Sequence, residues 1–90
     1  MDSEKLHALN RNEEIDWEIE DKEHVIEQLM TLYTEKVYLL AFSFVKDQGL
    51  AEDISQEVFL KAYKYLDRFR GEASIKSWIY RITVNTAKDF

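Results

Sequence analysis

Ninety residues pass without one proline, and glycine stands only at positions 49 and 71. These two residue types interrupt helices most effectively, so a chain this poor in them is expected to be helical almost throughout. Periodicity agrees. Val25, Leu29, Leu32, Tyr33, Val37, Leu40, Ala41 and Phe44 recur at three- and four-residue spacing. Lys36 is the one polar member of that stripe, its stem expected against the core and its charge outside. Asp21 is placed to cap this helix and Glu23 to sit at the positive end of its dipole. The pattern predicts a helix over residues 22–46, ended at Asp47-Gln48-Gly49 with the glycine in the left-handed terminating position.

A second helix is expected over residues 50–66, with Ala51, Ile54, Val58, Ala62 and Tyr65 as its core stripe. Phe59 and Tyr63 widen that stripe, which implies packing on two sides. Asp67-Arg68-Phe69-Arg70-Gly71-Glu72-Ala73 has no helical period and reads as a loop. Ser74 can cap a third helix over residues 75–90, whose buried stripe is Ile75, Trp78, Ile79, Ile82, Thr86 and Phe90. The pattern is still running at Phe90 with no capping signal, as in a chain cut short. Residues 1–20 are acidic and weakly patterned. Leu6 and Leu9 are candidates for one short helix, and Ile15, Trp17 and Ile19, alternating with acids, for an arm that docks on the domain. The expected fold is all-α, a bundle of three main helices with room for a short N-terminal fourth. Its length suits one small domain, residues 21–90, behind an extension, residues 1–20.

The net charge of −6 argues at first against a nucleic-acid partner, but its distribution does not. Residues 1–60 carry fifteen Asp/Glu against five Lys/Arg, whereas residues 61–90 carry seven Lys/Arg against three acids. Such a chain can offer one surface to a basic partner and another to phosphate, although ordinary surface charge gives the same totals. Cysteine is absent, which removes disulfides and thiolate metal sites and fits a reducing cytoplasm. The N-terminus lacks the order of a signal peptide, and no apolar run is long enough for a membrane span, so no membrane insertion is expected. His7 and His24 belong to no metal-ligand pair, and there is no glycine-rich phosphate loop and no nucleophile–base pairing. No enzyme activity, metal or cofactor is expected.

Two surfaces stand out. On the second helix Asp53, Gln56, Glu57, Leu60 and Lys64 share the side opposite the core at 100° per residue. Carboxylates around one apolar residue suit docking on a basic helix, and a solvated face with a stray leucine explains the same pattern. On the third helix Ser77, Arg81, Asn85 and Lys88 share a flank. There the cations can take phosphates and the amide can bond a base edge. Phe69 between Arg68 and Arg70 can stack on an unpaired base, or can tuck inward as an ordinary hydrophobe.

Read together, three stretches carry a family likeness. Ala51-Glu52-Asp53-Ile54-Ser55-Gln56-Glu57-Val58-Phe59-Leu60-Lys61-Ala62-Tyr63 holds a D-x-x-Q-E-x-F core. Leu66 to Ser74 holds an F-R-G loop, and Ser77 to Ala87 a W-x-Y-R-I-x-x-N-x-A helix. In order and spacing these closely resemble domain 2 of extracytoplasmic-function sigma factors, over about residues 47–90.

That resemblance implies a transcription initiation factor domain that binds core RNA polymerase, recognises the promoter minus-ten element and melts it. Asp53, Gln56 and Glu57 match the positions that clamp the coiled coil of the polymerase's largest subunit, and Leu60 joins them by its placement. The loop from Phe69 through Arg70 and Gly71 to Ser74 corresponds to the segment that captures a flipped base of the single-stranded non-template strand. Asn85 matches the asparagine beside that pocket, and Lys61 falls near the DNA side, with Ser77, Arg81 and Lys88 completing the DNA set. Trp78 and Ile82 correspond to mainly structural positions. An anti-sigma factor is a further partner by family habit. The second, helix-turn-helix domain of such factors is not in this chain, and the acidic extension is longer than the family usually carries. One role for that extension is to fold over the basic loop as a mimic of phosphate. The competing class is an acidic helical adaptor that binds protein and no DNA.

Overall fold

The computed structural model describes residues 21–69 and 74–90, and these form three helices: α1 (Lys22–Val45), α2 (Gln48–Tyr65) and α3 (Ile75–Asp89). A 3-10 turn, Leu66–Arg68, follows α2. The Asp21 carboxylate accepts the Glu23 N–H at 3.0 Å and so opens α1, as its sequence position suggested. Among the described residues, no helix is long and apolar enough to cross a membrane. The expected short N-terminal helix and docking arm fall in residues 1–20, outside the described residues.

The turn between α1 and α2 corrects the sequence reading. Lys46, not Gly49, takes the left-handed conformation, at φ 57° and ψ 32°, and its N–H donates to the Phe42 carbonyl at 2.8 Å. Gly49 lies inside the first turn of α2, which begins two residues earlier than expected. The reason is local. Asp47 turns extended and its carboxylate accepts the Leu50 N–H at 2.9 Å, so it caps α2 immediately after Lys46 closes α1. A lysine at positive φ strains against its own Cβ, and the cap offsets that cost.

The core is one cluster to which all three helices contribute. Leu29, Tyr33, Val37 and Ala41 come from α1, Ala51, Ile54, Val58 and Ala62 from α2, and Ile75 and Ile79 from α3. The alanines let the helices approach closely. Tyr33 meets Tyr80 edge to face, with ring centroids 6.5 Å apart. Two threonines of α3 are buried, and both hydroxyls are bonded. Thr83 Oγ1 donates to the Ile79 carbonyl at 2.8 Å, and Thr86 Oγ1 accepts from Lys61 Nζ at 3.1 Å. With its hydroxyl turned back on its own helix, Thr83 packs as an apolar residue does, which its sequence position did not advertise.

Several stripe positions depart from expectation. Phe44, in the last turn of α1, is 49% exposed, and Phe90, just past the end of α3, is 53% exposed. Lys36 is exposed, its ammonium 5.9 Å from the Tyr33 ring centroid. Tyr65 is half-buried. Phe59 is buried as the widened α2 stripe requires, but Tyr63 stays 39% exposed. The Tyr63 ring instead supports the Lys22 ammonium, 4.6 Å from its centroid, and Lys22 also pairs with Asp67 at 3.4 Å. Among the described residues that is the one ion pair.

Candidate functional site

On α2 the helical repeat turns Ile54, Val58 and Ala62 inward and leaves Asp53, Gln56, Leu60 and Lys64 exposed, with Glu57 half-exposed at the edge. Leu60 is 66% exposed, the most of any large apolar side chain described. Asp53 and Glu57 make no ion pair among the described residues, so both charges remain for an external partner. A protruding leucine between two uncommitted carboxylates is the arrangement that a basic amphipathic helix can cover, with desolvation at the centre and charge pairs at the rim.

Across the bundle, α3 buries Ile75, Ile79 and Thr83 and presents Ser77, Arg81, Asn85 and Lys88 to solvent. All four expected members of this strip are exposed. Ser74 starts the helix: its Oγ accepts the Ser77 N–H at 3.0 Å, and the two hydroxyls also bond to each other at 3.0 Å. These serines are therefore joined at the mouth of the loop. Lys61 reaches across from α2 to the buried Thr86, the neighbour of Asn85, and so braces α2 to α3. An ammonium has three donors, so this bond leaves others for a phosphate.

Phe69 neither tucks fully inward nor projects freely. It is half-buried, its ring centroid 5.1 Å from that of Trp78 at a 45° tilt. The pair makes an aromatic ledge at the start of α3, where the chain leaves the 3-10 turn. Arg70 and Gly71 lie outside the described residues, and the structure brings Phe69 to Trp78 and Ser74 to Ser77. Sequence reasoning missed the cation cluster beside this ledge. Tyr65 has Lys64 Nζ 5.4 Å and the Arg68 guanidinium 5.3 Å from its ring centroid. The signal was present in the spacing, with cations one before and three after an aromatic at the end of a helix.

Missed as well was a groove of about 510 Å³ between α1 and α2, lined by Ile26, Met30, Phe59, Leu60 and Tyr63 with Thr34, Ser55 and Gln56 beyond. Ile26, Met30 and Thr34 form a second stripe on α1 beside the core stripe, visible in sequence at four-residue spacing. Gln56 and Leu60 belong both to this groove and to the acidic face of α2. Among the described residues no group of His, Asp and Glu could hold a metal ion.

A family model described as Sigma-70 region 2 matches residues 29–90. The RNA polymerase sigma-H factor of Pseudomonas aeruginosa PAO1 is 44% identical over 61 residues, which cover 68% of this chain and 32% of that protein. The ECF RNA polymerase sigma-E factor of Escherichia coli K12 is 45% identical over 62 residues, covering 69% of this chain and 32% of that protein. The chain spans about a third of the length of these curated relatives.

Proposed function

The chain belongs to the sigma-70 region 2 family, and from that premise we propose that it is the polymerase-binding and promoter-melting domain of an extracytoplasmic-function-type sigma factor, acting in the cytoplasm. The observation that carries the reading is the separation of two uncommitted surfaces on one core. Asp53, Gln56, Glu57 and Leu60 stand out from α2, and Ser77, Arg81, Asn85 and Lys88 from α3.

The first surface docks on the basic coiled coil of the largest subunit of core RNA polymerase. Leu60 inserts between the helices of the partner, while Asp53 and Glu57 take arginines in charge-assisted pairs. The second surface receives DNA. Arg81, Lys88, Lys61 and Arg70 hold phosphates, and Asn85 reads a base edge through its paired donor and acceptor. An extruded base of the minus-ten element is received by the segment from Phe69 to Ser74.

Melting follows from preference rather than force. A protein that binds only the extruded base shifts the duplex toward opening, and unstacking costs a few kcal/mol that pocket contacts offset. The net charge of −6 opposes tight binding to duplex phosphate by the domain alone. Polymerase is needed to deliver it. An anti-sigma factor covering one of these surfaces is the regulatory partner of this reading.

The test is capture of purified core polymerase together with binding of a single-stranded minus-ten oligonucleotide by the resulting complex. Both occur if the reading holds. Capture without oligonucleotide binding by the complex would leave a protein-only adaptor.

A further inference from the structure

We propose that Lys61 is a positioning residue for base reading: its bond to Thr86 fixes the rotation of α3 about its own axis and so sets where Asn85 stands. This rests on the DNA reading above, to which it adds a residue acting from the neighbouring helix. Lys61 Nζ donates to Thr86 Oγ1 at 3.1 Å. Among the described residues, this is the one hydrogen bond between side chains that joins two of the three α-helices.

The contact is formed in place of an easier one. Glu57 stands four residues before Lys61, the spacing and order at which glutamate and lysine pair along a helix. They do not pair, and the ammonium crosses instead to a neutral hydroxyl on α3. Thr86 is 1% exposed, so its oxygen is sheltered from DNA and acts through what it holds.

The bond also falls where α3 is least anchored. After Ile79 the buried residues of this helix are Thr83, Thr86 and Ala87, none with a long apolar side chain. Ile82 is half-buried, and Thr83 turns its hydroxyl back on its own helix. Lys61 supplies the directional contact that packing lacks there. Asn85 precedes Thr86 by one residue, about 1.5 Å along the axis and about 100° around it. A helix with its side chains is about 10–12 Å across, so a rotation of about 10° carries an outer amide roughly 1 Å. A two-point bond to a base edge tolerates little of that, because both hydrogen bonds need good distance and angle together. Phosphate contacts are more forgiving, since a long flexible cation can follow its phosphate. The role therefore shows in base preference.

The experiment uses the intact chain bound to core polymerase. Its probes are four single-stranded oligonucleotides with A, C, G or T at the captured position, in the sequence that the wild-type complex selects from a random pool. Thr86→Val keeps the side-chain shape and the Lys61 charge but removes the acceptor. It should lower the affinity ratio between the preferred base and the next about threefold, within the reach of one net hydrogen bond, and leave the salt dependence unaltered. Thr86→Ser keeps the acceptor and should keep the preference. Lys61→Met should lower the preference as Thr86→Val does, and the two together should lower it no further, as for one shared contact. Lys61 is half-exposed, so Lys61→Met carries the test alone should Thr86→Val fail to fold.

Wild-type preference in the Thr86→Val complex overturns the positioning role. So do losses that add in the double variant, or a Lys61→Met complex in which salt dependence alone changes. Loss of preference in Thr86→Ser overturns it too, because packing rather than the bond would then hold α3. A wild-type complex that binds nothing in the random pool sinks the DNA reading itself.

Discussion

The outward faces of α2 and α3 share one core and differ in almost everything else. On α2, two carboxylates flank an exposed leucine. On α3, two cations flank an asparagine and no large apolar residue stands out among them. The first composition suits a surface that must be desolvated to bind, the second a surface that binds through charge and directed hydrogen bonds while staying wet. The difference teaches that the skewed distribution of charge along the chain is also a spatial one, and under the proposed function each helix face is offered to one kind of partner.

The comparison breaks most completely if the common core is damaged. Ile79 is fully buried between the helices, so Ile79→Ala should cost about 2–5 kcal/mol by thermal or urea unfolding. Both binding activities should fall together. If only one fell, the two faces would not share their support. Charge reversal separates them instead. Asp53→Arg with Glu57→Arg should weaken polymerase binding on the order of 100-fold, because like charges then oppose the basic partner. Circular dichroism should be unchanged, and the base preference for the oligonucleotide should be retained.

On the α3 side the effects are smaller and of two kinds. Arg81→Ala should weaken single-stranded binding for every sequence alike and reduce the slope of log K against log salt by about 0.7. Asn85→Ala should alter base preference by about 1–3 kcal/mol, leaving the salt slope intact. Equal behaviour of the two variants would refute their assignment to phosphate and base. The smallest expected effect touches neither face. Lys46→Gly relieves a left-handed lysine and should raise stability by about 1 kcal/mol or less, with both affinities preserved.

The helices were legible because their signal is local. α1 ends within a residue of where periodicity put it, at Val45, and α3 starts at Ile75, where the Ser74 cap put it. The start of α2 was not, because the rule that glycine ends helices was stronger on paper than the cap at Asp47. Periodicity also records which residues could face a core, not whether another helix reaches them, hence the exposed Phe44 and Phe90. Thr83 escaped notice for the opposite reason, as a polar residue whose hydroxyl is satisfied within its own turn. Exposure of the candidate faces on α2 and α3 was readable from helical geometry. The groove was not, since it exists only where two helices meet, and the ledge of Phe69 on Trp78 required a contact nine residues apart.

Lys22 and Asp67, the lone oppositely charged couple among the described residues, hold each other at the surface at 3.4 Å. Exposed couples of that sort add roughly 0–1 kcal/mol and fade as salt is added. Melting temperature should consequently drift little between dilute and concentrated buffer. Any steep ionic-strength response seen in an assay with oligonucleotide then reports counterions leaving the complex, uncontaminated by a protein that is itself loosening.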